Sequence, residues 1–103
     1  MSGLKLPARL RMDEARTTWA QMSPALRAEA AQVLAAAGRE VRLSAADLTD
    51  FDSSALSLLL SAARQCSEQG ASLKLLDAPP KLRELARVYG VAELLWAPPA
   101  AAA

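Results

Sequence analysis

The chain has no histidine, one cysteine, four glycines and few aromatic residues, and each shortage removes a class of chemistry. Without imidazole, Ser-His-Asp and Cys-His catalysis and most zinc sites are excluded. A lone thiol, Cys66, cannot form an internal disulfide, and it falls in an apolar helical pattern as a small buried residue would. No Gly-rich strand-to-helix turn of the phosphate-cradling kind occurs, so a nucleotide that matters here is expected to be bound by a partner. With aromatics at 4%, alanine and leucine carry the packing, which favours helices close on a small sheet over a substrate pocket. Nowhere is there a run of roughly 20 apolar residues able to span a bilayer. The segment Met1–Pro7 also lacks the apolar centre of a signal peptide. Twelve basic and eleven acidic residues are spread without dense runs, for a net charge of +1. Nucleic acid and direct membrane insertion are therefore disfavoured, and the expectation is a cytoplasmic, non-enzymatic protein without metal or cofactor.

What is present is apolar mass. At 103 residues and 52% hydrophobic composition the chain can fill one core, so a single domain is expected over 1–96, with 97–103 a disordered Ala/Pro tail. Leu4 to Leu10 alternates at its start and reads as an edge strand, Pro7 being tolerable at an edge or bulge. Asp13 and Glu14 open a helix running to about Met22. Ser23-Pro24 reads as an N-cap and first-turn proline that restarts or kinks the helix towards Ala37 and a stop at Gly38. Leu26, Ala30, Val33, Leu34 and Ala37 are placed on one face. Glu40 to Ala45 is a strand with Val41 and Leu43 inward, followed by a loop from Ala46 to Asp50. From Ser54 to Gln69, residues Leu56, Leu59, Leu60, Ala63 and Cys66 make an inward stripe, with Ser57, Ser61, Arg64, Gln65 and Glu68 mainly outside it. Gly70 is a natural C-cap, Leu73–Leu76 a strand, and Leu82, Leu85, Ala86 and Tyr89 a third helical stripe ended by Gly90. Val91, Leu94 and Leu95 fold back on the core. Alternating β and α elements with short links imply helices packed on a partly parallel sheet.

The chemistry-bearing stretch is Asp52-Ser53-Ser54, a polar turn leading from a strand-like segment into an apolar helix. A carboxylate there caps free backbone N–H groups, and the adjoining hydroxyls face solvent or a partner. Capping explains Asp52 without any catalytic role, since no second carboxylate or base accompanies it. Leu56, Leu59 and Leu60 are core residues, leaving Ser57 and Ser61 as the accessible helix face. Arg11, Met12 and Asp13 follow the first strand and are expected near the Asp52 turn. Trp19, Tyr89 and Trp96 are the available interface anchors, with Tyr89 expected to pack under the last helix.

Residues Val41 to Leu56, reading VRLSAADLTDFDSSAL, resemble the central motif of STAS domains, and Ala78-Pro79-Pro80 and the terminal helix fit the same family. Leu85 to Leu95, LARVYGVAELL, is similar to the small STAS subunits of Mla-type bacterial phospholipid ABC transporters, the MlaB group. The resemblance implies an α/β, STAS-like (anti-sigma factor antagonist-like) fold with a small mixed or partly parallel sheet flanked by helices. It also implies a non-enzymatic subunit that binds the transporter's MlaF-like ATPase, with a permease in the larger complex, peripheral to the inner membrane through that partner. Partner contact is then expected at Thr49, Asp50, Asp52, Ser53, Ser54, Ser57 and Ser61. The alternative is an anti-sigma factor antagonist in which Ser53 is the phosphoacceptor of an anti-sigma serine kinase. The family often has Asp where Ser44 stands and Gly where Ala55 stands, and both departures weigh against that switch.

Overall fold

The computed structural model describes residues 4–96. The tail expected over 97–103, and the side chains of Leu94, expected to fold back on the core, and Trp96, lie outside the described residues. Five short strands and four helices follow in the order β1 (Leu4–Lys5), β2 (Arg9–Leu10), α1 (Met12–Ala35), β3 (Glu40–Ser44), β4 (Asp50–Phe51), α2 (Ser53–Glu68), β5 (Ser72–Leu76), α3 (Pro80–Val88) and α4 (Ala92–Trp96). β1, β3 and β5 form one sheet in that order, and β2 pairs with β4 in a second ladder. Every described pairing is parallel, with Leu4 opposite Leu43 and Val41 opposite Leu73. The sheet expected to be mixed or partly parallel is thus wholly parallel over the described residues.

Period-two burial in β3 sends Val41 and Leu43 inward, where they meet Leu26 and Ala30 of α1 and Leu56, Leu59, Ala62 and Cys66 of α2 in one continuous core. α4 closes the core beside β5 through Leu95. Burial also pushes the Cys66 thiol pKa up, which keeps it protonated and unreactive.

Several expectations are corrected. The stretch Leu4 to Leu10 is two two-residue strands in different ladders, separated at Pro7, which has no N–H to donate. The loop after β3 begins and ends one residue earlier than expected, because β3 stops at Ser44 and Asp50 and Phe51 pair with Arg9 and Leu10. α1 runs unbroken from Met12 to Ala35 with Pro24 inside it. Ser23 is no N-cap: its hydroxyl donates to Gln65 Oε1 at 2.7 Å, and Gln65 Nε2 donates to the Ser23 carbonyl at 2.8 Å. Gln65, expected outside the α2 stripe, is therefore buried as the polar link between α1 and α2. Ala37 is not on the inward face but exposed in the turn after α1, at φ +67°.

Candidate functional site

Asp52 is the hinge of the site. Its backbone is extended, and its Oδ1 accepts the Ser54 N–H at 2.8 Å, the cap that begins α2. Its Oδ2 accepts the Met12 N–H at 3.1 Å, so one carboxylate serves the free amides at the starts of both α1 and α2. The Ser54 amide, helped by that of Met12 and by nearby Arg11, holds the Asp52 carboxyl below the usual range. Arg11, Met12 and Asp13 thus lie beside the turn, as their position after the first strand implied.

Asp50 is engaged differently. Arg11 Nη1 donates to its Oδ1 at 2.6 Å and Arg9 Nη1 to its Oδ2 at 3.1 Å. Arg9 also bonds Glu14 and lies 3.5 Å from Asp13. The Glu14 carboxylate accepts the Arg11 N–H at 3.0 Å, completing the cap of α1. These ions are about half exposed, so each pair adds little stability; their effect is to fix the β2–α1 junction against β4. Thr49 joins the same junction, its N–H donating to the Ala8 carbonyl at 2.9 Å and its hydroxyl at 3.3 Å.

The α2 start separates two shallow grooves. One, between α1 and α2, is lined by Met12, Arg16, Trp19, Ser54, Ser57, Leu58 and Ser61. Its neighbour, between the turn and α3, has a volume of about 450 Å³ and is lined by Phe51, Asp52, Ser53, Lys81, Leu85, Val88 and Tyr89. Of the seven residues expected at the site, Ser54, Ser57 and Ser61 are brought together in the first groove and Asp52 and Ser53 in the second. Thr49 and Asp50 line neither and are turned towards β2.

Met12, Val88 and Tyr89 are the exposed large hydrophobics among the described residues, at 75%, 70% and 58% exposure, and all three line these grooves. Tyr89 does not pack under the last helix. It sits at the C-cap of α3, where Gly90 at φ +73° turns the chain and the helical stripe that placed it inward no longer applies. The α3 wall of the second groove was not anticipated; Val88, which falls outside the Leu82, Leu85, Ala86 stripe, was the available signal.

Among the described residues the site's acids are engaged by helix caps and arginines: Asp52 by the Ser54 and Met12 amides and the Ser54 side chain, Asp50 by Arg9 and Arg11. Among the described residues there is no cluster of ligands that would hold a metal ion, and no helix is long and apolar enough to cross a membrane. Hydroxyls and exposed apolar side chains around a rigidly capped turn are the makings of a recognition surface. No curated protein and no solved structure matches the chain. The family described as Mlab, STAS domain matches residues 5–96, a span that holds the described elements from Lys5 of β1 to the end of α4, with the Asp52 turn among them. The chain belongs to the STAS domain family, in its MlaB-type branch.

Proposed function

We propose that this protein is a non-enzymatic, cytoplasmic subunit that binds the ATPase of an Mla-type phospholipid ABC transporter and supports its assembly and activity, reaching the inner membrane only through that partner. The observation that carries the reading is the placement of Met12, Val88 and Tyr89, exposed around the capped Asp52-Ser53-Ser54 turn of an MlaB-type STAS domain. Docking would cover these side chains, and full burial of each is worth about 1.5–3 kcal/mol. Ser53, Ser54, Ser57 and Ser61 supply hydrogen bonds around them, and the prebuilt caps spare the ordering cost of the surface. Binding one conformation of the ATPase more tightly than another shifts its population, which is how a subunit without chemistry regulates one that has it.

The test is co-purification of the tagged protein from its native cells, with mass spectrometry of the partners and of Ser53. The expected outcome is an ABC ATPase with its permease, unmodified Ser53, and loss of both partners from the Met12→Ala/Tyr89→Ala variant. Recovery of a serine kinase with phosphorylated Ser53 replaces this reading by the anti-sigma factor antagonist.

A further inference from the structure

The helices lie on one face of the β1-β3-β5 sheet, and the other face is open and basic. Alternation along the strands turns Lys5, Glu40, Arg42 and Lys74 outward, with Ser44, Ser72 and the half-buried Leu76 on the same face. Arg42 and Lys74 are in register, at 66% and 54% side-chain exposure, and share one carboxylate, Glu40, at 3.9 and 4.0 Å. Arg39, just before β3, lines a shallow concavity with Val33, Gly38, Glu40 and Arg42 at the edge of this face. Three of the twelve basic side chains, Lys5, Arg42 and Lys74, and one of the eleven acidic ones, Glu40, are turned out here, a local +2 on a chain of net +1, leaving −1 for the rest. A solvated sheet face needs polar residues but not charge of one sign, and cations side by side on adjacent strands repel.

We infer that this face is a second binding surface, distinct from the Asp52 grooves, and that its occupant is an acidic segment of a partner protein. Lys5 pairs with Ser44, two positions along β3 from Arg42, so the cations form a line across three strands. Adjacent strands lie roughly 4.8 Å apart and alternate residues of an extended segment roughly 6–7 Å apart, a difference that long Lys and Arg side chains bridge, so such a segment can present its carboxylates to these cations. Nucleic-acid binders commonly neutralise roughly six to ten phosphates, well above the net charge available here. Polybasic membrane patches use roughly four to eight cations, more than the three turned out here, and anchoring helices add apolar side chains; among the described residues the exposed large hydrophobics are all at the Asp52 grooves.

The test is fluorescence anisotropy of a fluorescein-labelled peptide on the order of twelve residues, alternating Glu and Ser to set the carboxylate spacing, titrated with the full chain. Binding is expected at about 20 mM salt and is expected to weaken steeply by about 200 mM, as the screening length falls from roughly 20 to 7 Å. Arg42→Glu with Lys74→Glu weakens it about tenfold or more, and Glu40→Gln, which frees both cations, tightens it about threefold. Arg64→Glu, an exposed reversal on α2, leaves it unchanged. No binding at low salt, equal losses in the Arg64 and Arg42/Lys74 variants, or no gain in Glu40→Gln overturns the inference. So does stronger binding to vesicles containing phosphatidylglycerol, which would make the face a lipid contact. None of these readouts depends on the ATPase, so the grooves and the sheet face stand or fall separately.

Discussion

Asp52 carries two structural contacts on one carboxylate, to the amides of Ser54 and Met12, and substitutions there separate charge from geometry. Asp52→Ala frees both amides and is expected to lower the urea midpoint, while Asp52→Asn keeps one acceptor and loses less. The folded carboxyl titrates below its ordinary value of 3.8, so its contribution is fully present above that value and is lost as pH falls through the depressed folded pKa. Wild-type stability should therefore drop below about pH 4 more steeply than that of Asp52→Asn, measured by urea melts at stepped pH. Ser53, one residue on, is the separate test of recognition. Ser53→Asp places a charge at the favourable N-terminal end of α2 and should leave the circular dichroism melt nearly unchanged, while ATPase recovery falls about tenfold or more. If folding fails instead, Ser53 is structural. The cap was legible because Asp-Ser-Ser before an apolar run is a local signal. The commitment of Asp50 to Arg9 and Arg11 was not, because those partners are about forty residues away in the chain.

The three long helices end alike. After α1, α2 and α3 the third residue past the helix's last donates back to a carbonyl five positions earlier, Gly38 to Val33 at 2.7 Å, Ala71 to Cys66 at 2.8 Å and Val91 to Ala86 at 2.9 Å. Gly70 and Gly90 occupy the left-handed position of two of these turns, but Ala37 occupies it in the first. Gly38 follows because a Cβ there would come within 3.1 Å of Val33 Cγ1. Ala37→Gly is therefore expected to stabilise the protein by about 1 kcal/mol in thermal or urea melts. Pro24 is the opposite case. An interior proline costs a helix about 3 kcal/mol, but Met22 and Leu26 on either side are both buried, and their burial outweighs it. The local rule that read Ser23-Pro24 as a helix start therefore loses to packing. Pro24→Ala should gain about 1–2 kcal/mol, less than the full cost because it also loosens the unfolded chain. At the α1–α2 seam, Gln65→Leu strands the Ser23 hydroxyl and should cost about 1–3 kcal/mol, much of it recovered when Ser23→Ala is added.

Across the whole molecule one core joins all the layers, and Leu59 lies at its centre, fully buried beneath the sheet. Leu59→Ala should cost about 2–5 kcal/mol against a total of roughly 5–15 for a domain of this size, and lower the melting temperature by 10 °C or more at roughly 4–8 °C per kcal/mol. Retained cooperativity with a small loss would instead mean that the core relaxes around the cavity. The sequence by itself determined the α/β alternation, the inward residues of β3, the burial of Leu56, Leu59 and Cys66 on α2, the helix stops near Gly38, Gly70 and Gly90, and the capped Asp52 turn. Each of these is decided by residues within one or two turns of chain, where side-chain period and backbone preference act directly. Only the tertiary structure decided that β2 and β4 form their own ladder, that α1 runs through Pro24, that Gln65 is buried against Ser23 and that Tyr89 is exposed beside Ser53. Those outcomes depend on groups brought together from distant parts of the chain, where burial and hydrogen bonds worth a few kcal/mol outweigh local preferences of about 1 to 3.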